Sequence, residues 1–379
     1  DLTVSAEADA LIDAYVAGFS VAIAGGYIGA AEAIQDTTAT NTVAYGVEAS
    51  ITGQRGDKIE ARDLTVEALD EGSIHGAGEA AAVAVAISLG LSIAGGGARI
   101  VNTSDTDVTA SVDGDGKLID LSRDLRVDAE SRAYAEGYTG VASVSLGLIS
   151  AAASGSEVHV DVLGDVVAEA IDADLRVDDT IEVFADSRAG GAAEAFGFSV
   201  STGFSMASST ADVDVDSDAT ATLGGTVTGG DVEVRARLLS SLEGENAYAK
   251  STASGGGLLV GASSTSADAR VLGDASATYA GGTMTAGDVK ITAKSDVDLA
   301  ADAYAAALGL IGAGSAEAQT RAEVDTLARV EDGSTVIAAS LEITATGDDE
   351  QLLDVITGSG GLVADAAGRA ETDTDGETR

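Results

Sequence analysis

The chain has 379 residues, with 63 acidic and 20 basic side chains, a formal net charge of −43, 48 glycines and no Pro, Cys or Trp. Such acidity excludes the basic patch that nucleic acid requires and is repelled by an anionic membrane surface, and the lack of Cys excludes a disulfide framework or a thiolate metal site. The missing Pro, the enriched Gly and a 45% hydrophobic content carried mostly by Ala and Val argue against ordinary globular domains and against disorder, and suit long β ladders, from whose interior Pro is barred.

The first element is a short alternating phrase, DLTVSA at Asp1. It returns as DLTVEA at Asp63, DLRVDA at Asp124, TIEVFA at Thr180, DVEVRA at Asp231, DVKITA at Asp288 and SLEITA at Ser340. The second residues of these phrases are at 2, 64, 125, 181, 232, 289 and 341, in steps of 62, 61, 56, 51, 57 and 52. Residues 1–379 therefore read as one continuous array of six full repeats and a partial seventh, varying in length as turns vary. The pattern is already running at Asp1 and still running at Arg379, as expected of a segment of a longer protein.

After each phrase comes an uncharged stretch rich in Ala, Gly and Ser. An acidic alternating stretch follows, often closed by a Gly turn such as DGDGK (Asp113 to Lys117) or GGTVTGGD (Gly224 to Asp231). In the second repeat the uncharged stretch runs from Ala80 to Ala98, close to the length of a membrane-spanning helix. Its large residues, Val83, Val85, Ile87, Leu89, Leu91 and Ile93, alternate with Ala84, Ala86, Ser88, Gly90 and Ser92. A period of two is the signature of a strand and not of a helix. The scarcity of aromatics, 3% of residues, and the acidic strands argue against a transmembrane β-barrel with its aromatic girdles.

Strand repeats that cannot bury an apolar face alone stack on one another. The expected architecture is all-β, a parallel β-solenoid, with an antiparallel meander of long hairpins as the alternative. On this reading each repeat folds into two or three coils of roughly 20 to 30 residues, and the large odd-numbered residues of the second repeat fill the core. The small residues Ala84, Ala86, Ser88, Gly90 and Ser92 then face outward as one uncharged strip, covered by the chain itself or used for partner contact.

The phrase DLTVSAEA, the uncharged Ala/Gly/Ser/Val stretch and the acidic return strand together resemble the repeats of giant bacterial surface exoproteins, the filamentous-haemagglutinin-like adhesins. The resemblance covers nearly the whole chain through low-complexity pattern and not through a specific motif. It implies a secreted, surface-attached β-helical rod. The extreme acidity departs from that family.

Asp212, Asp214, Asp216 and Asp218 alternate along one strand, and Asp105, Asp107, Asp113 and Asp115 mark a strand and its turn. Both sets are candidate Ca²⁺ ligands, since hard cations take oxygen donors. The competing reading is a solvated acidic face for the first set and Asp-Gly turn chemistry for the second, and it is preferred because no recognised calcium loop orders these residues. Tyr15, Tyr138, Phe196, Tyr248 and Tyr304 recur near one phase of the repeat and read as a partial aromatic stack. His75 and His159 lie in different repeats at different phases, with no recurring nucleophile beside either, so no catalytic residue is singled out. The expected role is a non-enzymatic, extracellular or cell-surface stalk or fibre segment that associates with itself or with cell-surface components, without nucleic acid and without membrane insertion. The alternative is a binding module for glycan, ice or a partner protein.

Overall fold

The computed structural model describes the chain except residues 26–29, 54–57, 88–89 and 243. The described residues form strands and turns without a helix, and no helix is long and apolar enough to cross a membrane. Every strand pairing is parallel and joins positions about one phrase-to-phrase step apart. Leu2 pairs with Leu64, Leu64 with Leu125, Leu125 with Ile181, Ile181 with Val232, Val232 with Val289 and Val289 with Leu341. The antiparallel meander is thus excluded for the described pairs. The expected short coils are corrected as well, because one turn of the solenoid takes a whole repeat.

Each coil is a flattened loop. In the second, an outgoing arm runs through Leu64–Asp70 and Ser73–Ile87, the chain reverses at a tip around Gly90, and a return arm runs through Leu91–Leu121. The two arms face each other, so the core is the slot between two parallel sheets.

That slot has two widths. Near the phrases it is filled by branched residues: Leu64, Val66, Ile100, Val108 and Val112 have no exposed surface. Toward the tips the inward residues are Ala82, Ala84 and Ser92, also without exposed surface, and Ala94 at 1%. Serines meet across the narrow part, as in Ser199 Oγ to Ser205 Oγ at 2.6 Å and Ser209 Oγ to Ser251 Oγ at 2.6 Å. The arms come so close that a Cβ on Gly255 would lie 2.0 Å from the carbonyl oxygen of Ala262 on the facing arm. Only glycine lets two backbones approach in this way.

This reverses the expected facing of the uncharged stretch. Leu64 and Val66 point inward and set the parity of the outgoing arm, which passes the corner at Gly72 unchanged, so even-numbered residues stay inward through Ala84. Val83 and Val85 therefore sit on the outer face, and beyond the tip Leu91 and Ile93 are 45% and 38% exposed.

Candidate functional site

The outward large residues repeat from coil to coil. On the outgoing arms Val21, Val83, Val144 and Val200 stack in one row. On the return arms Ile93, Ala151, Phe204, Val260, Ile311 and Val363 form another. Between the rows the tips carry Leu148, Leu258, Leu310 and Leu362, exposed by 65%, 67%, 46% and 86%. From the second coil to the sixth no charge interrupts this edge among the described residues, whereas the first coil sets the exposed Glu32 beside Ile93 and the seventh sets Asp365 beside Ala313. The charged residues that bracket it are Glu79 and Arg99, Glu136 and Glu157, Glu194 and Asp212, Lys250 and Asp268, and Asp302 and Glu317 in successive coils. The solenoid is thus amphipathic across its width, with an apolar edge and an acidic remainder.

Of the expected contact residues, Ala84 and Ser92 are fully buried and Gly90 is buried. The side chain of Ala86 and the whole of Ser88 lie outside the described residues. The uncharged strip is present, but its exposed face is made of the large residues. The correction has a physical cause: small residues are needed where the two sheets nearly touch.

The aromatics do not form one stack. Tyr15 and Tyr138 share a row through Ala77, whereas Phe196 pairs with Gly140 and Thr252, and Tyr248 with Ala192 and Ala300. Tyr15 donates to Glu79 Oε2 at 2.9 Å and Tyr304 to Asp354 Oδ2 at 2.9 Å, each across to the next coil. These hydrogen bonds tie one coil to the next. Basic residues do the same: Lys58 reaches Asp120 at 2.8 Å, Arg126 reaches Glu182 at 3.2 Å and Arg369 reaches Glu317 at 2.9 Å, all on neighbouring coils.

The second aspartate set divides into structural roles. Asp113 Oδ1 accepts the Asp115 amide at 3.0 Å, and Asp115 and Gly116 take φ of 45° and 75°, which is turn chemistry. Asp107 Oδ1 accepts the amide of Asp165 on the next coil at 3.1 Å. The same bond recurs from Asp218 Oδ1 to the Asp274 amide at 2.8 Å and from Asp325 Oδ1 to the Glu377 amide at 2.7 Å. Asp107, Asp165, Asp218, Asp274 and Asp325 thus form a ladder at one corner. Burial first, and neighbouring carboxylates next, push Asp165 and Asp274 above the ordinary carboxylate range. Asp105 is exposed.

The first set does lie on one outward face, with Asp218 at the corner ladder. The register adds partners that spacing along the chain did not reveal. Asp212 pairs with His159 on one side and Asp268 on the other, and Asp214 pairs with Asp161 and Arg270. His159 Nδ1 is 3.1 Å from Asp212 Oδ2, and Nε2 is 2.9 Å from Asp161 Oδ1. The hydrogen bond to Asp212 leads in raising the His159 pKa above its ordinary value. Burial, and then the Asp212 charge, raise that of Asp214. Arg270 pairs with Asp268 and lies 3.5 Å from Asp214 Oδ1.

Counting from the phrases fails to align His159 with Asp212, 34 and 31 residues after the second residue of their own phrases. The three missing residues are at the tip. Ser145 pairs with Ser201 and Ala151 with Phe204, so five residues of one coil lie beside two of the next.

Compared with known proteins, the chain matches no family model, no curated protein and no solved structure.

Proposed function

We propose that the chain is a non-catalytic stalk or fibre segment of an extracellular, adhesin-like or sheath-forming surface protein, built of six repeats and a partial seventh, whose apolar edge is its lateral contact surface. The observation that carries the reading is the edge, uncharged from the second coil to the sixth, with its rows of outward Val, Leu, Ile and Phe. Monomeric proteins seldom leave so long an apolar surface uncovered. The partner it fits is a second copy. Two chains meeting edge to edge bury their apolar rows and keep their carboxylate-rich halves apart, which is the arrangement a net charge of −43 favours. The same edge would also serve a binding module. A shallow groove lined by Phe19, Phe196, Ala81, Gly140, Ala142 and Glu79 favours that second reading.

Sedimentation velocity tests the proposal. The chain should sediment as a dimer or larger species, more so as salt screens the acidic halves. The triple variant Val200→Asp, Leu258→Asp, Leu310→Asp should be monomeric with an unchanged far-UV spectrum. A wild-type chain that stays monomeric at high concentration and high salt would refute lateral self-association.

A further inference from the structure

We propose that His159, Asp212 and Asp214 form a binding site for a first-row divalent metal of the Zn²⁺ type, distinct in chemistry from the Ca²⁺ for which the aspartates alone are candidate ligands.

Three observations carry the assignment. First, two neighbouring coils contribute. His159 comes from one return arm and Asp212 and Asp214 from the next, and a ring nitrogen and one oxygen of each carboxylate lie within 4.8 Å of one another. Second, Asp212 Oδ1 is buried and accepts no hydrogen bond, and Asp214 Oδ1, also buried, has only the Arg270 guanidinium at 3.5 Å, beyond a good hydrogen bond. A buried carboxylate oxygen without a donor is costly, and most such atoms are satisfied. Asp212 Oδ2 is already engaged by His159, so Oδ1 is the free acceptor. Third, the charge around the site is unbalanced. Asp161, Asp212, Asp214 and Asp268 face one guanidinium, that of Arg270, and one imidazole. A divalent cation offsets most of that excess.

The donor set selects the metal. Ca²⁺ and Mg²⁺ take oxygen ligands and gain nothing from an imidazole, whereas Zn²⁺ and its neighbours bind imidazole and carboxylate together. His159 Nδ1 would turn from Asp212 to the metal, and Asp161, within 2.9 Å of Nε2, would hold the ring by accepting its other proton. A carboxylate behind a ligating histidine is the usual support for such a site. A metal there would tie one coil to the next and leave the apolar edge untouched, so the site stands or falls apart from lateral association.

Isothermal titration of the whole purified chain with ZnCl₂, in excess CaCl₂, tests the site. One Zn²⁺ per chain is expected. Affinity should fall at least about tenfold, the loss that even a supporting partner of a ligand causes, in His159→Gln and in Asp212→Asn, and should be unchanged in Asp105→Asn. The chain has 2 histidines, so the imidazole resonances of the unsubstituted protein give a second readout that does not depend on a variant folding. One should move at the first equivalent of Zn²⁺ while the other stays. Zn²⁺ uptake that Ca²⁺ abolishes, or that His159→Gln leaves unchanged, would mean diffuse counterions on an acidic surface and overturn the site. Movement of both imidazole resonances together, or of neither, would do the same.

Discussion

Single polar residues hold one coil to the next. Asn246, 4% exposed, donates through Nδ2 to the carbonyls of Ala189 at 2.9 Å and Leu239 at 3.0 Å, and its Oδ1 accepts the Asp298 amide at 3.0 Å. Its amide thus links the phrase ends of three coils. Replacing it leaves two carbonyls and one amide without partners, at about 1–3 kcal/mol for each group that stays dry. Asn246→Ala should therefore lower the urea midpoint by the equivalent of about 2–4 kcal/mol, read as a shift without change of slope. A shift below about 0.5 kcal/mol would mean that water replaces the side chain freely. The corner aspartates perform a similar task with a single acceptor each. Spacing along the chain puts Asp107 and Asp218 in two separate sets, and only the register shows them on one ladder with Asp165, Asp274 and Asp325. A carboxylate that caps a neighbouring amide and one that awaits a cation look alike until the amide is located.

At the scale of the strand, one parity serves a whole arm. Alternation along Ala80 to Ala98 was legible and correctly excluded a helix. Burial of large residues is the usual outcome, and here it fails because the phrase claims the inward parity first. Ala84 has no exposed surface, whereas Val83 lies on the outer face. Ala84→Leu should overpack the slot and destabilise by about 1–3 kcal/mol. Val83→Thr should change stability by no more than about 0.5 kcal/mol, as outward substitutions do. Thermal denaturation of the two variants checks the facing, since the reverse parity would give the reverse order.

Across the whole molecule, carboxylate repulsion runs along the stack. Asp165, Asp274, Asp302 and Asp349 all have raised pKa values, with burial the leading cause and neighbouring carboxylates next. A group whose folded pKa lies above its unfolded value contributes stability that is complete below the unfolded pKa and is lost as pH rises through the folded one. These groups therefore stabilise the fold in mild acid and give that contribution up toward neutrality. Asp63 and Asp120 behave oppositely. Hydrogen bonds and charge from Arg62 and Arg123 outweigh desolvation at Asp63, and the Lys58 hydrogen bond leads at Asp120, so both pKa values are lowered. Their contribution is lost as pH falls through the folded values. The melting temperature should rise from pH 7 to about pH 5 and fall again below about pH 4, at fixed ionic strength. A melting temperature that falls steadily from pH 7 downward would show that the paired carboxylates dominate.

The repeating phrase, the period of two and the grouping of charge away from one stretch of every repeat belong to the sequence alone. They follow from local residue choice, and from them come the all-β class and the uncharged stretch of each repeat, while the choice of parallel stacking over a meander came from the strand pairing. Three further things were decided only in the folded chain. Alternation does not say which parity faces inward; the spacing between the facing arms does. Repeat length does not say how many coils a repeat holds; the pairing of Leu2 with Leu64 does. Spacing within the phrases does not bring His159 beside Asp212, because the shortening that aligns them occurs in a tip loop, and contact across a parallel stack depends on every loop that precedes it.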